Sequence, residues 1–103
     1  MNNNELKQHI KAPIKQMIIT FDVEILINSN NYLENICKQI ASNYGLHASL
    51  LSQDDFFVNI SFKNSSDTKI KDLDYLMVAD KVFEKLSDYT PRIEIRTEEE
   101  ATK

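Results

Sequence analysis

The stretch Gln16–Ile27, QMIITFDVEILI, decides the fold of this chain. In it Met17, Ile19, Phe21, Val23, Ile25 and Ile27 alternate with Ile18, Thr20, Asp22, Glu24 and Leu26. A period of two places the first set on one face of a β-strand and the second, more polar set on the other. The run therefore predicts a central strand with one buried face.

Beyond it, Asn28-Ser29-Asn30-Asn31 is turn and cap chemistry, and Asn31 with Glu34 fits a capping box. Leu33, Ile36, Cys37, Ile40, Ala41 and Tyr44 then form one apolar helical stripe. Gly45, the chain's only glycine, sits where a helix end turns left-handed. Leu46–Ser52 and Phe56–Lys63 flank the polar turn Gln53-Asp54-Asp55 and predict a hairpin. Its second strand points Phe56, Val58, Ile60 and Phe62 inward and Phe57, Asn59 and Ser61 outward. Its first points Leu46, Ala48 and Leu50 inward and His47, Ser49 and Leu51 outward, with a helical extension through His47 as the alternative. After the loop Asn64-Ser65-Ser66-Asp67, Asp72 caps a second helix running to about Ser87, with Leu73, Leu76, Met77, Ala79, Val82, Phe83 and Leu86 inward. Thr90-Pro91 ends it. Arg92–Arg96 is a last short strand, Ile93 and Ile95 facing in and Arg92, Glu94 and Arg96 facing out. On the N-terminal side, Glu5–Lys11 offers two helical turns closed before Pro13, which hold only if Leu6, Ile10 and Ile14 dock on the domain.

The element order is strand, helix, strand, strand, helix, strand. Two right-handed crossovers joined by a hairpin give an antiparallel sheet in the order 4-1-3-2 with both helices on one face, a ferredoxin-like split βαββαβ α+β sandwich. Residues 1–14 form an N-terminal arm, 15–97 the domain and 98–103 a disordered acidic tail.

Composition bounds what such a domain does. The 103 residues suffice for one core, and 42% hydrophobic with 27% charged residues describe an ordinary globular chain. A net charge of −4 with scattered lysines argues against a phosphate-backbone partner, whose affinity needs clustered Lys and Arg. The single cysteine, Cys37, excludes an intrachain disulfide and a cysteine-clustered metal site, and reads as a small buried hydrophobe. The start MNNNELKQH lacks the apolar core of a signal peptide and no run is long enough to span a membrane, so the expectation is a cytoplasmic protein without a membrane partner.

The face the helices leave free is then the surface to examine. It carries Ile18, Thr20, Asp22, Glu24 and Leu26 from the first strand, Phe57, Asn59 and Ser61 from the third, and Arg92, Glu94 and Arg96 from the fourth. Exposed together, Ile18, Leu26 and Phe57 suggest a protein interface. RNA-recognition domains of this topology stack bases on several aromatics; here Phe57 stands alone beside Asp22 and Glu24. Asp22 and Glu24 with Asp54-Asp55 invite a two-metal reading, but counting to Ile27 as the strand's end puts Asp22 some 16 Å from the turn. His9 and His47 have no serine or carboxylate at a telling spacing, and Asn28–Asn31 has neither the arginine nor the glycine of a phosphate-cradling loop.

The run Ile18–Ile25, a hydrophobic stretch leading into an aspartate, resembles the opening strand of the Cas2-type and VapD-type ribonucleases, dimers of ferredoxin-like domains of about this length. That resemblance implies a metal-dependent nuclease with Asp22 as the metal-binding residue. The residues themselves favour a non-enzymatic interaction module without cofactor or metal: a homodimer, adaptor, assembly partner or inhibitor of another protein. Its contact surface is the open sheet face (Ile18, Thr20, Asp22, Glu24, Leu26, Phe57, Asn59, Arg92, Glu94, Arg96) or an edge strand. An inhibitor of this kind would occupy its target's nucleic-acid site with Asp22, Glu24, Asp54, Asp55 and the glutamate tail.

Overall fold

The computed structural model describes residues 14–23, 29–64 and 72–97. They form β1 (Ile14–Asp22), α1 (Ser29–Ser42), β2 (Leu46–Gln53), β3 (Phe57–Asn64), α2 (Asp72–Lys85), a 3-10 turn (Ser87–Tyr89) and β4 (Arg92–Thr97). The four strands make one sheet in the order β2-β3-β1-β4, which read from the β4 edge is 4-1-3-2, and every pairing is antiparallel. Both helices bury their stripes in a single core against this sheet, giving an α+β architecture. The expected helix at Glu5–Lys11, the strand continuation through 24–27 and the acidic tail lie outside the described residues.

Met17, Ile19 and Phe21 of β1 and Val58, Ile60 and Phe62 of β3 are buried, paired across the two strands as Met17 with Phe62, Ile19 with Ile60 and Phe21 with Val58. Burying one such side chain is worth about 1.5–3 kcal/mol, so this double row dominates the core. Leu46 and Ala48 of β2 complete the row, which settles residues 46–48 as strand rather than helix. Leu33, Cys37 and Ala41, spaced by four, close over it from α1. The amides of Asn43 and Tyr44 return to Ile40 and Ala41, three residues back, and Gly45 (φ 77°) turns the chain into β2.

Five details differ from the periodic reading. β1 starts at Ile14, not Gln16, and Ile14 is a strand residue in the core instead of part of a docking arm. A register shift between Ile14 and Gln16 inserts Lys15, so Ile14 and Met17 share a face although they are three apart. Asn31 is inside α1, so no capping box forms; Glu34 instead accepts the Leu50 amide at 3.2 Å and pairs with Lys38 at 3.3 Å. Phe56 belongs to the turn and is 64% exposed, because β3 begins only at Phe57. In α2 the buried stripe includes Tyr75 and Val78, while Leu73 is 43% exposed. Tyr75 is acceptable inside because its hydroxyl donates to the Lys15 carbonyl at 3.4 Å, and burial raises the phenol above its usual pKa.

Asp72, expected as a cap, opens α2 and holds a more distant group. Its Oδ1 accepts the backbone N–H of Ile14 at 3.0 Å, joining the start of β1 to the start of α2. With the Tyr75–Lys15 contact this makes a two-point clasp between elements far apart in sequence.

Candidate interaction surface

On the sheet face away from the helices, three strands contribute a connected polar layer. Thr20 Oγ1 donates to Asn59 Oδ1 at 2.6 Å, and Asn59 Nδ2 donates to Ser52 Oγ at 2.9 Å, linking β1, β3 and β2. Gln16 Nε2 donates to Ser61 Oγ at 2.7 Å, and Arg96 pairs with Glu94 at 3.3 Å. Side chains so engaged are held in place by their neighbours. Ile18 is on this face, opposite Ser61 and Glu94, but is only 5% exposed, and Ser61 is buried with it. The centre of the face therefore offers a partner little apolar surface, contrary to the expectation for Ile18.

The apolar exposure lies instead at one end of the sheet. Asp54 Oδ1 accepts the amides of Phe56 and Phe57, each at 2.8 Å, and so shapes a tight turn that projects both rings. Leu51, the extra residue of a bulge in β2 between Leu50 and Ser52, is exposed within two rungs of the same turn. Phe57, 39% exposed, lies under the Arg92 guanidinium at 5.4 Å from the ring centre. Arg92 also pairs with Asp22 Oδ1 at 2.7 Å. A cation stacked on an aromatic face and fixed by a carboxylate makes a flat, pre-arranged patch. Asp22, Phe57 and Arg92, three of the residues expected on the face, are thus brought together; Thr20 and Asn59 adjoin them through the polar layer.

Glu24 and Leu26 lie outside the described residues. Alternation turns Leu51 outward, as observed, although it lies outside the residues expected at the interface; Phe56, expected inward, lies in the turn. The clue available was the pair Phe56-Phe57 directly after Asp54-Asp55, where two large rings cannot both face a core.

The register also revises one distance argument. Asp22 pairs with Phe57, and the Val23 amide bonds the Phe56 carbonyl at 2.9 Å, so β1 reaches the β2–β3 turn and Asp22 stands next to it. Yet Asp22 faces Arg92 and Asp54 is engaged by two amides. Among the described residues no three His, Cys, Asp or Glu side chains converge as a metal site. Two open grooves, of ≈ 350 and ≈ 320 Å³, are lined by Ile40, Tyr44, Lys81 and Lys85 among others, and by Lys15, Gln16, Lys63 and Asn64. Cys37 is fully buried and its thiol is pushed up to about 12 by burial first and Glu34 second, which leaves it unreactive as a nucleophile near neutral pH. No helix among the described residues is long and apolar enough to cross a membrane.

No protein-family model, curated protein or solved structure matches the chain.

Proposed function

We propose that this chain is a small non-enzymatic protein-interaction module that contacts its partner with the end of the sheet formed by Leu51, Phe56, Phe57 and Arg92. The strand order and pairing support reading it as a ferredoxin-like split βαββαβ domain with the contact surface at one end of its free face, and a cytoplasmic location belongs to the same proposal. The observation that carries the function is the gathering of exposed apolar side chains at that end. Phe56 and Phe57 project from a turn whose geometry is fixed by Asp54, with Arg92 stacked on Phe57 and Leu51 exposed on β2 two rungs from that turn. Buried aromatic and arginine side chains are the residue types that dominate binding energy at protein interfaces.

The test is capture from a native lysate by the wild-type chain and by Phe57→Asp and Phe56→Ser/Phe57→Ser. A partner held by the wild type and lost from both variants, with their melting temperatures unchanged, is the expected result; full retention by both overturns the surface. One observation favours the nuclease alternative, the placement of Asp22 beside the acidic turn. Cleavage of RNA or DNA that requires magnesium or manganese and disappears in Asp22→Ala would establish that reading and displace the first.

A further inference from the structure

The sheet has two edges, β2 and β4. An unpaired edge is a template for another strand unless a bulge, a proline or a misplaced charge blocks it. β2 is interrupted by its bulge at Leu51. β4, by contrast, is an uninterrupted run, RIEIRT, paired on its inner side with β1 and with no other strand among the described residues.

Its residues carry a charge pattern that reads the same from both ends. Arg92, Glu94 and Arg96 share the face of Thr20, Ile18 and Gln16, while Ile93, Ile95 and Thr97 share the core face. Two copies of β4 laid antiparallel about a twofold axis can be centred on any residue, and the charges discriminate. Centred on Glu94, the ladder sets Glu94 against Glu94 and Arg92 against Arg96, both repulsive. Centred on Ile93, it runs into Pro91, which has no N–H, and Thr90, which is left-handed at φ 47°. Centred on Ile95, it sets each copy's Glu94 opposite the other's Arg96, with Ile95 against Ile95. That register alone joins both charge pairs and an apolar pair without meeting the proline.

We propose that β4 is a self-association edge, through which two copies of this chain join antiparallel about Ile95 into one continuous eight-stranded sheet. The side chains are ready for it. Glu94 and Arg96 are exposed and already within 3.3 Å of each other on one strand, so each exchanges an equivalent partner across the axis. Ile93 and Ile95 are only half-buried in the single copy, and the second copy covers the rest. β4 reaches the Phe57 end of the sheet only through Arg92, which is not among the residues paired about Ile95, so the inference stands or falls separately from the proposed partner surface.

The experiment is light scattering on the full chain up to about 1 mM, the range in which a weak self-interaction registers. The expected mass is twice 12.0 kDa for the wild type and for Phe57→Asp. Glu94→Arg alone and Arg96→Glu alone place like charges in register and are monomers, whereas an equimolar mixture of the two forms a dimer with one copy of each. The double variant Glu94→Arg/Arg96→Glu dimerises by itself. A monomeric wild type, single variants that dimerise as well as the wild type, or a mixture that stays monomeric overturns the proposal. Loss of the dimer in Phe57→Asp with retention in the charge variants would move the self-interface to the Phe57 end and overturn it equally.

Discussion

Replacing Asp72 tests whether the clasp at the start of β1 holds the sheet to α2. In Asp72→Ala the Ile14 amide loses its acceptor in a part-buried site, and a hydrogen bond to a charged group contributes about 1.5–3 kcal/mol. The same change removes a negative charge from the first turn of α2, worth about 0.3–1 kcal/mol. Partial exposure argues for the lower part of each range, so the expected loss is about 2 kcal/mol. For a domain of this size that lowers the melting temperature by roughly 8–16 °C. Asp72→Asn keeps an oxygen at the accepting position and gives up only the charge, so its loss is about half as large. Thermal and urea unfolding of the three proteins measure this directly. Equal losses in Ala and Asn variants would mean that charge alone matters, and a loss under about 0.5 kcal/mol in Asp72→Ala would show that the clasp contributes nothing to stability.

Three further expectations follow from other sites. Because the Cys37 thiol is raised to about 12 in the folded chain while an unfolded thiol ionises near 9.0, its contribution is complete below pH 9 and is lost as pH rises from 9 towards 12. A full unit well above 9 is worth about 1.4 kcal/mol, and half the unfolded thiols are already ionised at pH 9, so the wild type should lose about 1 kcal/mol more stability than Cys37→Ala between pH 9 and 10; parallel urea midpoints for the two would refute the assignment. The same burial predicts no reaction with a thiol reagent at pH 8 until denaturant is added. Gly45 is left-handed by need and Thr90 against its preference: Gly45→Ala should cost about 1 kcal/mol and Thr90→Gly gain up to about 1 kcal/mol, and a stabilised Gly45→Ala would contradict the observed backbone. Phe62→Ala, at a fully buried position in the middle of the core, should cost about 3–5 kcal/mol and leave little folded protein at 37 °C by circular dichroism.

What was legible in the sequence is what periodicity controls. Val58, Ile60 and Phe62 point inward as alternation requires, and Leu33, Cys37 and Ala41 form the α1 stripe. Alternation fails beyond an extra residue, so Ile14 shares the face of Met17 across Lys15 and Ser52 shares the face of Asn59 after Leu51, because a bulge reverses the parity of what lies beyond it. α2 was read a little out of phase for a different reason. Tyr75 carries a hydroxyl and Leu73 does not, so polarity alone exchanges them; only the position of the Lys15 carbonyl, set by the fold, makes the tyrosine the better buried residue. The open face divided similarly. Its charges and Phe57 were identifiable from alternation, whereas the burial of Ile18 and the pairing of Arg92 with both Asp22 and Phe57 depend on which strands become neighbours.

The central position of β1 has a consequence for synthesis. Its neighbours are β3 and β4, and Thr20 finds its β4 partner, Arg92, about seventy residues later in the chain. At a translation rate of roughly 5–20 residues per second, that partner follows by about 4–14 s. For that interval β1 has Met17, Ile19 and Phe21 in hand and one of its two edges without a mate. The domain is therefore one whose β1 must be kept from other nascent chains until β4 is made, and Met17–Phe21 is a segment that a chaperone of short apolar β-segments would bind in that time.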